Sequence, residues 1–238
     1  MKAISFSLYG TVQAYAVGIL RNAELAPSVY PGWQVVVHVS HQCVHRDIVE
    51  ALRALPHVTV VVRREPESVK SLFWRIETAF HGKYERMIVR DSDSRLNVRE
   101  AAAVAEWEVS GKVLHVMHDH VQHNIPVMGG VWGLHIAAAP VKTIEEEFDT
   151  WIRHMRAGTY PSGVKQYVRR QSDQNFLSTV VWDLLSKDAM VHDGRKKPAE
   201  GSLPFTVKLP RGQFVGQPCG ADDKPLPRTI RKKIWRAA

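Results

Sequence analysis

Cysteine is scarce: the 238 residues contain only Cys43 and Cys219, separated by most of the chain. A disulfide framework and a four-cysteine zinc site are thereby excluded, and a reducing compartment, the cytoplasm, is the expected home. Long apolar runs are missing as well. No stretch reaches the roughly 18 residues that a membrane-crossing helix needs, and the chain opens on a strand-like run without a signal-peptide hydrophobic region. Internal repeats and low-complexity tracts are also lacking. What is present is ordinary: 45% hydrophobic and 24% charged residues, the composition of a chain long enough to bury a full core.

Charge is distributed unevenly. Residues 195–238 hold eleven Lys/Arg against three acids, which equals the whole net charge of +8, while residues 1–194 balance. An uncharged body with a cationic end suggests an anionic partner for that end, whether phosphate, nucleic acid or a membrane surface. Six of the thirteen prolines fall in the same stretch, so residues 195–238 read as an irregular extension to a domain spanning residues 1–194.

Within that domain, β-compatible and helix-periodic segments alternate. Strands are expected at 3–9, 33–39, 57–62, 86–90, 113–117 and 189–191. Helices are expected at 12–25, where Pro27 should stop the run, and at 45–55, 69–80, 145–156 and 172–185. Another should open at a capping box of Asn97 and Glu100 and close at Gly111. This order implies an α/β, Rossmann-like fold with a mostly parallel sheet flanked by helices.

In such sheets ligands sit beyond the carboxyl ends of the strands. The strand Arg86–Arg90 delivers Asp91-Ser92-Asp93 to that edge. Two carboxylates one residue apart suit a hard divalent cation, Mn²⁺ or Mg²⁺, whose shell is completed by water and substrate phosphates. His115, His118, His120 and His123 crowd together around Asp119. Zinc ligation is disfavoured there because no His-Glu-x-x-His helix is present.

Several motifs together resemble small GT-A-fold glycosyltransferases such as those of large algal viruses and bacterial polysaccharide clusters. They are DSDSRL from Asp91, MHDH from Met117 followed by NIPVMGGVWG, SDQNFL from Ser172, and VHD from Val191. The looser likeness runs from Ile4 to about Gly216. It implies a GT-A-like fold and metal-dependent transfer of a sugar, UDP-linked by preference, from a nucleoside diphosphate donor to a glycan or glycolipid acceptor. Retention of anomeric configuration is the implied outcome. By the same resemblance Asp91, Asp93 and His192 are the metal ligands, and Asp173 and Gln174 lie near the anomeric carbon. Ser7, Tyr9, Gly10, Arg75, Asp91, Gly129, Gly130 and Lys197 face the donor. Asp119, His120 and Trp132 are assigned to the acceptor.

Two other readings compete with this one. A nucleotide-sugar hydrolase or pyrophosphorylase would also want carboxylates and metal, but the latter needs a glycine-rich basic loop after the first strand, and Gly10–Gly18 holds no Lys or Arg. Nucleic-acid binding through the basic extension lacks a recognisable module, and only Phe205, Phe214 and Trp235 are aromatic there. Residues Arg228 to Arg236 instead space their bases around Ile230, Ile234 and Trp235, as a short helix resting peripherally on anionic lipid would. No nucleic-acid partner is expected.

Overall fold

The computed structural model describes residues 1–159 and 172–227. Seven strands form one sheet: β1 (Lys2–Leu8), β2 (Trp33–Ser40), β3 (Val58–Arg63), β4 (Arg86–Arg90), β5 (Leu114–His118), β6 (Val131–His135) and β7 (Ala189–Asp193). Their order is β3-β2-β1-β4-β6-β5-β7. All neighbouring pairs are parallel except those of β6, which runs antiparallel to both β4 and β5. The helices are α1 (Gln13–Val29), α2 (Arg46–Ala54), α3 (Val98–Ser110), α4 (Val141–Ala157), α5 (Ser172–Phe176) and α6 (Trp182–Leu185). A π-turn (Leu177–Val181) joins α5 to α6, and a 3-10 helix (Val69–His81) precedes β4.

Alternation along β1 decides which side each helix takes. Ile4, Phe6 and Leu8 bury against one cluster, with Ala16 and Ile19 of α1, Leu52 of α2 and Trp107 of α3. Ala3, Ser5 and Ser7 point to the other face, where the 3-10 helix, α4 and α5 stack Phe73, Phe148 and Phe176 with ring centroids 5.7–6.1 Å apart.

Three local expectations needed correction. Pro27 lies inside α1 instead of ending it. A proline lacks the N–H that would bond the carbonyl four residues back; that carbonyl, on Ala23, accepts a hydrogen bond from His57 Nε2 at 2.8 Å. Asn97 does cap α3, accepting from the N–H groups of Arg99 and Glu100, and Gly111 ends the helix at φ +73°. Glu100 does not turn back to complete a capping box. Its carboxylate is buried on Arg90 at 3.2 Å and Tyr30 Oη at 3.0 Å. Strand β6 was not anticipated, because it is five residues long and Gly133 interrupts it. The glycine is needed there: a Cβ would come within 3.0 Å of Ile88 on β4 and 3.2 Å of Trp107.

From Gly194 to Pro227 the chain runs through turns and two isolated bridges, His192–Leu203 and Cys219–Pro225. No helix of the described residues is long and apolar enough to cross a membrane. The expected basic helix from Arg228 to Arg236 lies outside the described residues.

Candidate active site

The carboxyl edge of β4 carries the Asp91–Asp93 turn, and α1 templates it. Asn22, fully buried on α1, donates to Ser94 O at 2.9 Å and accepts from Leu96 N–H at 3.0 Å. The helix lies so close that a Cβ on Gly18 would sit 2.1 Å from Ser92 O. Ser94 closes the turn, its Oγ donating to Asp91 O at 2.8 Å. Neither Gly18 nor Asn22 carried any sequence signal, since both occupy unremarkable positions in a helical run.

Arg75 is the centre of the cluster. A 3-10 helix satisfies its backbone poorly, and β1 compensates: Ser7 Oγ accepts from Arg75 N–H at 3.2 Å, while Ser5 Oγ donates to Arg75 O at 2.8 Å. Two serines two residues apart on one strand face thus hold both polar backbone groups of one arginine. Its guanidinium, 5% exposed, bridges Asp91 Oδ1 at 2.5 Å, Asp173 Oδ2 at 2.8 Å and the carbonyl of Arg90 at 3.2 Å. Burial works against its charge, but Asp91 and Asp173 outweigh that and raise its pKa.

Gly129 and Gly130 fold over this pair. A Cβ on Gly130 would overlap the Asp91 carboxylate at 2.2 Å, and one on Gly129 would lie 2.7 Å from Asp173 Oδ2 and 3.3 Å from Gln174. Only a glycine pair permits that approach. Arg75, Asp91, Gly129, Gly130, Asp173 and Gln174, drawn from four separate stretches of sequence, are therefore gathered at one place.

The carboxyl groups differ in environment. Asp91 is half-exposed. Asp93 is 7% exposed, and burial, with the charge of Asp91 added, pushes its carboxyl up to about 7. Burial also raises Asp173 despite Arg75, and Asp173 Oδ1 is buried with no hydrogen-bond partner among the described residues.

Other expected residues serve different ends. Ser7 is buried and acts on Arg75, not as a surface facing a ligand. Tyr9 stands edge-on to Trp74 at 6.1 Å, and Gly10, at φ +76°, donates its N–H to Glu67 Oε2 at 3.2 Å. Lys197 is exposed on the loop after β7. Trp132 is completely buried in β6 and is a core residue, so no sugar can stack on it. Both carboxylate oxygens of Asp119 are committed, Oδ1 to Arg99 at 2.6 Å and Oδ2 to Val215 N–H at 2.9 Å. His120 stacks on Phe214 at 4.2 Å. These two residues tie the C-terminal extension down. The same extension reaches the Asp91–Asp93 turn, where Cys219 N–H donates to Asp93 O at 2.7 Å.

His192 must also be reassigned. It is fully buried, with Nδ1 on His115 Nε2 at 2.9 Å and Nε2 on Glu106 at 3.0 Å. With both ring nitrogens engaged, it has no lone pair for a metal. Among the described residues no group of three or more His, Cys, Asp or Glu is placed to hold an ion. The donor set that remains is the carboxylate pair Asp91 and Asp93. It fits a hard cation that takes one or two protein carboxylates and completes its shell elsewhere. The Gly130 cradle over Asp91 leaves backbone, not side chain, on that flank.

No family model and no curated protein matches the chain. Solved structures do. A mannosyltransferase from Pyrobaculum calidifontis, in complex with GDP-Man and Mn²⁺, superposes with a TM-score of 0.50 at 14% identity, over 84% of this chain and 58% of that one. The fold is of the GT-A type. A glycosyltransferase involved in glycosylation of the major capsid of PBCV-1 gives 0.48 at 18% identity over 81% of each chain. The galactosyltransferase LgtC, in complex with donor and acceptor sugar analogs, gives 0.48 at 12% identity over 81% of this chain and 73% of that one. At these identities the likeness is one of GT-A architecture, and the chemistry must come from the residues of this chain.

Proposed function

We propose that the protein transfers a glycosyl group from a nucleoside diphosphate sugar to a hydroxyl of a glycan or glycolipid, using a divalent cation. The observation that carries this reading is the Arg75 bridge between Asp91 and Asp173 beneath the Gly129–Gly130 turn. It places two anionic groups, a fixed cation and side-chain-free backbone at the carboxyl edge of a GT-A sheet. A nucleotidyl-binding role for Tyr9 and Gly10, at the end of β1, belongs to the same reading, with UDP sugars the first donors to test.

Asp91 and Asp93 would hold Mn²⁺ or Mg²⁺, which when bound supplies positive charge against the growing charge of the leaving diphosphate. Arg75 keeps Asp91 and Asp173 in place, so neither carboxylate must reorganise when substrate arrives. Asp173 and Gln174 form the wall beside Gly129, where the donor sugar would lie. Gly129 and Gly130 let the main chain close on the Asp91 and Asp173 carboxylates and so fix their positions for the donor. Retention of configuration, with Asp173 and Gln174 near the anomeric carbon, belongs to the same proposal. Residues 228–236 are proposed to rest on an anionic membrane surface where a lipid-borne acceptor would be found.

Calorimetry against UDP-, GDP- and dTDP-sugars, with and without Mn²⁺, tests this. At least one donor should bind only with metal, and Asp93→Asn should abolish that binding while leaving the melting transition cooperative. Metal-independent binding, or binding unchanged by Asp93→Asn, would remove the proposed ligand role.

A further inference from the structure

On the other side of the loop that ends in Gly129–Gly130 lies a cavity of about 490 Å³, within the size range of ligand pockets. Its walls are Asn124 to Pro126, Trp182 of α6, the β7 edge and residues 199–202. None of the residues gathered around Arg75 lines it.

The chemistry of the lining narrows the ligand. Arg195 reaches the cavity, but its charge is spent. It pairs with both oxygens of Asp193, Nη2 at 2.6 Å from Oδ2 and Nε at 2.9 Å from Oδ1, and donates Nη1 to His123 O at 2.8 Å. Glu200 adds a negative charge to the rim. A phosphate or carboxylate would therefore meet no uncompensated cation. The deepest-lying residue of the lining is His118, 7% exposed. Its Nδ1 faces Arg195 Nη2 at 3.4 Å. A guanidinium only donates, so Nδ1 accepts and the ring proton is on Nε2. Burial and Arg195 lower the pKa of His118, which keeps the ring neutral at pH 7. Nε2 itself is buried beside the carbonyls of Ile125 and Pro126, so His118 closes the cavity as a neutral wall and not as a donor to a ligand. The Asn124 amide, the Ser202 hydroxyl and the partly buried Trp182 indole, beside a neutral His118 and a compensated Arg195, suit an uncharged, hydroxyl-bearing ring.

We infer that this cavity binds a neutral sugar residue, its apolar face on Trp182 and its hydroxyls on the Asn124 amide and the Ser202 hydroxyl, and that the residue belongs to the acceptor at some remove from the reacting hydroxyl. Its identity as acceptor rests on the transferase reading; the cavity's preference for a neutral sugar does not. The loop that lines the cavity with Asn124, Ile125 and Pro126 goes on to cover the carboxylate cluster with Gly129 and Gly130. Sequence reasoning sought a stacking tryptophan at Trp132; the accessible indole is Trp182.

The test is to screen the full chain on an array of neutral oligosaccharides and titrate the best one by calorimetry against three proteins. These are wild type, Trp182→Ala, and Ala199→Trp, which fills the cavity from an exposed rim position and touches no core residue. Saccharide affinity should fall at least tenfold in both variants, with unchanged affinity in the presence of UDP and Mn²⁺. No binding by wild type, equal binding by a folded Ala199→Trp variant, or displacement by UDP would overturn the inference. UDP and Mn²⁺ titrated alone separate the two ideas: failure to bind nucleotide with the saccharide results intact removes the transferase reading and leaves the sugar cavity standing.

Discussion

Asp93→Asn should stabilise the metal-free protein at neutral pH and above. The carboxyl is buried, and the nearby guanidinium groups are spent elsewhere, Arg75 on Asp91 and Asp173 and Arg95 on Asp223. A rise from 3.8 to about 7, at about 1.4 kcal/mol per pH unit, sets a ceiling of roughly 4 kcal/mol on the cost of ionising Asp93 in the folded state. Water entering between the two carboxylates relieves part of that, so about 2 kcal/mol is expected. In a protein of this size that is roughly 4–8 °C in melting temperature. Below about pH 4 the group is protonated in both folded and unfolded chains, and the substitution should be neutral. Between about pH 4 and 7 the folded state holds the proton more tightly, so wild-type stability falls as pH rises, and above about 7 the full cost is present. Melting curves of both proteins in EDTA from pH 4 to 8.5 measure this. Mn²⁺ should then reverse the ranking, adding about 2.7 kcal/mol to wild type at a hundredfold excess over its dissociation constant and nothing to the variant. A variant less stable than wild type at pH 8 without metal would refute the reasoning, since it would mean that the ionised carboxylate has a partner of its own.

Three further outcomes are expected. Glu100→Gln leaves Arg90 buried without a counter-charge and should cost about 3–5 kcal/mol in denaturant unfolding; a loss under about 1 kcal/mol would show that Tyr30 and the carbonyls of Val89 and Trp132 suffice. Gly130→Ala forces the Asp91 carboxylate aside and should weaken Mn²⁺-dependent donor binding at least tenfold with little change in melting, whereas unchanged binding would contradict the cradle. His57→Leu orphans the Ala23 carbonyl and should cost about 1–3 kcal/mol. Returning an N–H through Pro27→Ala should shrink that cost, and a cost independent of residue 27 would refute the link.

The strands were legible wherever apolar residues ran uninterrupted, and six of the seven could be placed from such runs. β6 escaped because the device that lets it slot between β4 and β5, Gly133 against Ile88, looks like a break when read alone. Pro27 misled for the opposite reason: the group that rescues the helix comes from His57, thirty residues away. At the site, Asp91, Arg75, Asp173 and the glycine pair could be named from motifs, and the fold brings them together. What the motifs could not reveal was how neighbouring polar groups are already committed. Asp119 and His192 have the right chemistry for ligands, but Val215, Arg99, His115 and Glu106 saturate them. Hydrogen-bond saturation is a property of three-dimensional neighbours and leaves no trace in spacing. Asn22 and Gly18 show the converse, as residues of no evident chemistry that shape the Asp91–Asp93 turn.

Product identity tests the central claim most directly. The protein, incubated with Mn²⁺, a neutral oligosaccharide and a panel of UDP-, GDP- and dTDP-sugars, should release a nucleoside diphosphate from one donor in step with a glycosylated acceptor, and Asp93→Asn should release none. Release of nucleoside monophosphate with sugar 1-phosphate would instead place bond cleavage within the diphosphate, and would contradict glycosyl transfer at the Asp91–Arg75–Asp173 cluster.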